Sequence, residues 1–212
     1  KGRVEASVVG VLSDVLKQHS RVVFNGDNYT DEWVTEAESR GLLNLQNTMD
    51  ALPKLVDEKN TALFEKYGVL SHRELESRYE ILVEQYFMTV NIEGETAQHM
   101  AQTMMLPAAT RYLSELVSTA EAASDVGLKT EGVIAIATEV NALIDALSEK
   151  LAVLADQNQE LAGDDVISKA EHMRVNIIPD MTAVRDVVDR LERIVPADHW
   201  PVPTYRDMLF VK

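Results

Sequence analysis

Between Val133 and Leu154 the apolar residues Val133, Ile136, Val140, Leu143, Leu147, Leu151 and Leu154 step by threes and fours, a spacing that a packed helix satisfies. At 3.6 residues per turn these side chains fall on one stripe, whereas on a strand of period two they would scatter over both faces. Such a stripe predicts a coiled-coil-like seam against another helix at a shallow crossing angle. Thr130 opens this segment, and Gly127 closes the one before it.

Two more tracts carry the same periodicity. "SHRE" places Ser71 at a helix N-cap with Glu74 three residues on, the spacing of a reciprocal capping box, and a long helix is predicted from there. Its apolar positions Leu75, Tyr79, Leu82, Tyr86, Val90, Ala97, Met100 and Met104 keep to one stripe, while Ile81, Met88, Ile92 and Leu106 form another. Two stripes predict neighbours on both sides. Pro107 is expected to kink or end this helix, because its ring removes an amide donor and collides with the preceding turn. After Gly163–Asp165, a last helix carries Ile167, Ala170, Met173, Ile177, Met181, Val184, Val188 and Leu191 inward, with a second kink expected at Pro179. Helices joined by tight turns pack antiparallel.

The N-terminal third is more broken. An amphipathic pattern starts at once with Val4, Val8, Val11, Leu12, Val15 and Leu16. Together with the missing initiator Met, this suggests a piece of a longer polypeptide. "RVVF" reads as a brief extended segment and Gly26 as a turn. Thr30 is placed to cap a helix from Asp31 to Arg40 by accepting from a free amide of its first turn, with Gly41 at its end. Tyr29 and Trp33 are expected to anchor the turn to a helix face. Short helices are predicted near Leu45–Leu52 and Glu58–Tyr67, separated near Pro53 and closed at Gly68. Past Val195 three prolines (Pro196, Pro201, Pro203) predict an extended docking tail, with Trp200, Tyr205, Leu209 and Phe210 packed on this chain or on a neighbouring subunit.

The expected fold is therefore all-α: an antiparallel bundle of three long helices, one kinked at Pro107, plus shorter N-terminal helices and an extended C-terminal tail. The corresponding organisation is a junction over residues 1–70, a long-helix bundle over 71–195 and a tail over 196–212. With only 9 Gly, 6 Pro and 6% aromatics, composition favours helices over a sandwich or barrel, and 46% hydrophobic content supplies a core for 212 residues.

The formal charge of −15 opposes encounter with a phosphate backbone or an anionic bilayer, so neither nucleic acid nor membrane is expected as a partner. With no cysteine there is neither a disulfide nor a thiolate metal site, and no stretch approaches the roughly 18 apolar residues of a membrane span. A cytoplasmic protein is the expectation.

Searching for chemistry yields little. Hydrolytic nucleophile motifs, a Walker-type phosphate loop and the dinucleotide Gly fingerprint are absent. Glu95 and His99, and likewise His72 and Glu76, stand one helical turn apart, but the Glu-x-x-His pairs of di-iron bundles do not occur. No catalytic, cofactor-binding or metal residue is assigned. Structural roles are assigned to Gly26, Thr30, Trp33, Ser71, Glu74 and Glu93. Glu93 falls between Val90 and Ala97 on the first stripe, so it is expected to be buried and paired with Arg78, Arg111 or a Tyr hydroxyl. Met100, Met104 and Met105 read as core filling or a subunit contact. In "FNGDNYTDEW", Phe24–Trp33, Asp27 and Asp31 speak against an anion cradle and for a structural turn.

"RVVFNGDNYTDEWVTEAESRGLLNLQNTMDALP", "KNTALFEKYGVLSHRELESRYEILVEQY" and the closing "PVPTYRDMLF" resemble the C-terminal region of type III glutamine synthetases. The similarity runs over nearly the whole chain, is densest from Arg21 to Tyr86 and is weakest between Leu116 and Ala162. The resemblance implies a protomer of a large homo-oligomeric ligase that joins ammonia to glutamate with ATP and Mg or Mn. The metal carboxylates, phosphate-binding arginines and Gly-Ser-Gly-x-His nucleotide signature of that superfamily would lie upstream, and none of these motifs stands in this sequence. "FNGD" is similar to the Phe, Asn and Gly near that signature, but the Ser, Gly and His that should follow are missing, so no binding role carries over. The resemblance thus implies a helical domain with a structural, oligomerisation or regulatory role, inactive by itself, partnered by its own catalytic region and by neighbouring subunits. The other reading from the residues is an acidic helical module that recruits a protein through its Met-rich helix or aromatic tail.

Overall fold

The structure, a computed structural model, describes residues 2–161, 163–203 and 205–209, and among these there are helices and no strand. The chain forms two compact units, one up to Ala51 and the other from Leu52 onward.

The first unit holds α1 (Gly2–Gln18), α2 (Asp31–Ser39) and a single turn, α3 (Thr48–Ala51). Where an extended "RVVF" was expected, Ser20–Val22 forms a 3-10 turn, and only Val23 is extended. Gly41 ends the α2 region in the left-handed conformation, at φ 69°, where a side chain would be strained. In place of the helix expected over 45–52 there is only α3, followed by a 3-10 turn over Leu52–Leu55. Pro53 lies inside that tighter turn, which needs fewer amide donors than a continuing α-helix.

In the second unit α4 (Glu58–Lys66) precedes a rod made of α5 (His72–Met100), a π-turn over Ala101–Met105 and α6 (Leu106–Asp125). A short turn leads to α7 (Glu131–Gln159), and another to α8 (Val166–His172), a second π-turn over Met173–Ile177 and α9 (Ile178–Glu192). Pro107 and Pro179 do not end their helices. Each sits in the first turn after a π-turn, and in both turns the closing amide reaches five residues back, Leu106 to Ala101 and Ile178 to Met173. The wider turn gives the proline ring room beside the preceding carbonyls. Thr110 and Thr182, three residues past each proline, donate their hydroxyls to the carbonyls of Leu106 and Ile178 at 2.8 and 2.9 Å.

α7 packs on α6, α9 on α7 and α8 on α5. One apolar cluster joins them, with Val90, Leu116, Leu143, Leu147, Ile177 and Leu191 among its members. Met105 is buried in it, and Met100 and Met104 pack against it. The α7 seam is buried at Val140, Leu143, Leu147, Leu151 and Leu154, while Ile136 stays exposed.

On α5 Leu75 and Val90 of the expected stripe are buried, and Tyr86, Met100 and, in the π-turn, Met104 pack on the core, but Val83 and Gly94 are buried where Leu82 and Glu93 were expected. Leu82 and Glu93, one residue before Val83 and Gly94, are exposed. Glu93 is thus not a buried, paired carboxylate. Gly94 lets the neighbouring helix come close, and the buried line is turned by a fraction of a helical turn, roughly 40°, which leaves Glu93 in solvent. Of the second stripe, Ile81, Met88 and Ile92 are exposed, whereas Leu106 packs on the core.

Beyond α9, Val195 and Trp200 enter the core cluster and Val202 packs on it. The tail is not wholly extended, because Tyr205–Leu209 forms a one-turn helix, α10. Leu209 does not pack on this chain and is exposed. Phe210 and the Tyr205 side chain lie outside the described residues.

Candidate functional site

Two polar constellations stand out. The first is the Phe24–Trp33 loop. The Phe24 ring stacks on Trp33, with centroids 4.5 Å apart and planes inclined by 29°. It also covers Gly26 so closely that a Cβ there would fall 2.5 Å from the ring. A side chain at Gly26 would thus push the Phe24 ring aside. Asp27 Oδ1 accepts from the Tyr29 amide at 2.9 Å, an Asx turn. Thr30 occupies the N-cap position of α2 with extended backbone, but its hydroxyl does not accept from the helix. It donates back to the Asp27 carbonyl at 2.9 Å, because the Asx turn brings that acceptor within reach first. Tyr29 anchors nothing and is fully exposed.

Arg40 closes this loop, and the sequence reading missed it. Its Nε donates to Glu36 at 2.7 Å, and its Nη1 donates to the carbonyls of Arg21 and Val23 at 3.1 and 2.8 Å. The guanidinium carbon also stands 5.7 Å from the Trp33 ring centroid. The available signal was its spacing, four residues after Glu36 and seven after Trp33, on one face of α2. Donors that a phosphate would need are turned inward here: the Tyr29 and Thr30 amides bond Asp27, and the Arg40 guanidinium bonds backbone. Phe24, Trp33 and Arg40 thus clasp the loop to α2.

The second constellation lies where α5, α7 and α8 meet. Asn158 donates to Gln98 Oε1 at 2.7 Å, linking α7 to α5. His172, a buried polar residue, has Nε2 2.9 Å from the Gln157 carbonyl and Nδ1 2.9 Å from Asn176 Nδ2, linking α8 to α7 and to the π-turn. The ring thus donates from one nitrogen and accepts at the other. Gly94 sits among these groups, and a Cβ there would lie 2.7 Å from Ile177 Cγ2 and 2.9 Å from Asn158 Oδ1. Tyr86, on the same helix, has its hydroxyl pKa pushed up by burial, against the pull of the Arg174 charge.

At the start of α5 the Ser71 hydroxyl accepts from the Glu74 amide while Glu74 accepts from the Ser71 amide at 2.8 Å. The Ser71 amide foremost, and then the Ser71 hydroxyl at 2.7 Å, donate to the Glu74 carboxylate and hold it below its usual range. Asp165 caps α8 by accepting from the Ser168 amide at 2.9 Å, and bonds from Ser168 lower its pKa too.

His72 and Glu76 stand 3.1 Å apart on the surface. Among the described residues no group of three His, Asp or Glu side chains could hold a metal ion, so the donor set here does not fit one. Nor is any helix of the described residues long and apolar enough to cross a membrane.

The family described as glutamine synthetase C-terminal domain matches residues 7–124. The chain belongs to that family. Its relatives include a type-3 glutamine synthetase of Dictyostelium discoideum, 35% identical over 95% of this chain, and a glutamine synthetase of Butyrivibrio fibrisolvens, 31% identical over 98%. A glutamine synthetase of Bacteroides fragilis is 26% identical over the whole chain. The chain spans 28% to 30% of the length of these curated relatives. The glutamine synthetase C-terminal domain match begins inside α1 and runs through α6, so it includes the loop clasp and the capped start of the long rod.

Proposed function

We propose that this chain is the C-terminal helical region of a type III glutamine synthetase and that it serves packing, assembly or regulation rather than bond making. The observation that carries this reading is the near-complete alignment of the chain within a minor share of much longer glutamine synthetases. The internal use of its polar groups supports it: Arg40, Gln98 and His172 each tie separate segments of the fold together, and Glu74 caps the start of α5.

In this proposal the full polypeptide works in the cytoplasm and makes glutamine from glutamate and ammonia, with ATP and Mg or Mn bound outside this region. Such chemistry needs metal ions and cations fixed around a developing charge. The partners are the chain's own catalytic region and neighbouring subunits of a homo-oligomer. The exposed α5 stripe Ile81, Met88 and Ile92 is a surface on which a subunit could sit.

The test is ATP-dependent γ-glutamyl hydroxamate formation with Mg or Mn, run on the 212-residue chain and on a polypeptide of full synthetase length. Activity in the longer protein and none in the chain is expected. Turnover by the chain itself, with host enzyme excluded, would place the reacting groups within it and overturn the proposal.

A further inference from the structure

α1 is the least accounted-for element of the molecule. Val4, Val8, Val9, Val11, Leu12, Val15 and Leu16 are each between 46% and 68% exposed, and no side chain of α1 from Val4 onward is buried. At about 100° per residue these seven side chains cover an arc of roughly 160°. The helix also holds five Val and two Gly in its 17 residues, Gly10 at its centre. Residues of such low helix propensity do not sustain so short a helix alone. A helix of this composition needs a partner that covers it.

We infer that α1 is buried in the rest of the synthetase polypeptide, its valine-rich face seated on the portion that the relatives carry outside this match. This rests on the proposed reading of the chain as part of a glutamine synthetase. Arc width argues for this occupant over a second copy of α1. A two-helix seam takes a narrow stripe of alternating threes and fours, whereas an arc this broad is covered by a domain surface that flanks the helix on more than one side. Supply agrees, since roughly 70% of each relative's length lies outside the aligned region.

Hydrogen–deuterium exchange of α1 amides tests this, compared between the 212-residue chain and the polypeptide of full synthetase length. The expectation is near-unprotected exchange in the chain and slowing by on the order of 100-fold or more in the longer protein. Substituting Val8→Asp and Val15→Asp together in the longer protein should abolish protection at α1 and leave that at α7 and α9 intact. Equal exchange of α1 in the two proteins would overturn the inference. So would protection in the 212-residue chain that grows with its own concentration, since that places a second copy on the face. Hydroxamate formation by the unsubstituted longer protein reports separately on the synthetase reading: protected α1 without glutamine synthesis would refute that reading and leave the docking in place.

Discussion

Replacing Gly94 with alanine sets two effects of known sign against each other. In an exposed helix the change reduces backbone entropy lost on folding and stabilises by ~0.5–1 kcal/mol. At Gly94 the new methyl would stand 2.7 Å from Ile177 Cγ2 and 2.9 Å from Asn158 Oδ1. Ile177 is fully buried, and Asn158 is held by its bond to Gln98, so neither neighbour is free to swing away. Overpacking of this kind costs ~1–3 kcal/mol, so the net expectation is a loss of about 1–2 kcal/mol. Gly132 provides the control, because a Cβ there meets nothing within 4 Å. Gly132→Ala should leave stability unchanged or raise it by up to ~1 kcal/mol. The assay is urea unfolding followed by far-ultraviolet circular dichroism. A higher midpoint for Gly94→Ala, matching that of Gly132→Ala, would refute the argument that close helix approach at Gly94 sets the seam.

Three further outcomes are expected. The Glu74 carboxyl should titrate below the ordinary glutamate range by NMR, and Ser71→Ala should return it toward that range. Because its folded pKa is depressed, the stabilisation it gives is complete above the unfolded value and is lost as pH falls through the folded one; an ordinary titration in the unsubstituted chain would refute the capping assignment. Of the two tryptophans, Trp200 is 6% exposed, so a Trp33→Phe variant should show blue-shifted emission that resists iodide, and Trp200→Ala should cost ~3–5 kcal/mol in denaturant. Red-shifted, readily quenched emission would mean the tail is undocked. Glu93→Ala should change stability by less than about 0.5 kcal/mol, as befits an exposed site; a loss several times larger would show a buried partner after all.

Much of this protein is written in local sequence. The threefold and fourfold spacing from Val140 to Leu154, the Ser71–Glu74 box and the left-handed Gly41, Gly68 and Gly127 mark helices and their ends through interactions within a few residues. Local rules cannot say which face of α5 is buried. Glu93 lies as well on the apolar stripe as Gly94 does, and it is Gly94 that meets Ile177 and Asn158, residues far along the chain. Pro107 and Pro179 illustrate the same division. Sequence shows that an amide is missing, while the packed core keeps each rod continuous and leaves a widened turn before the ring. The loop clasp likewise depends on Arg40 reaching carbonyls 17 and 19 residues away. Periodicity and capping act over one or two turns, so the sequence by itself determined an all-helical chain. Seam phase, proline accommodation and the ties between helices depend on contacts between distant residues, and tertiary structure alone decided them.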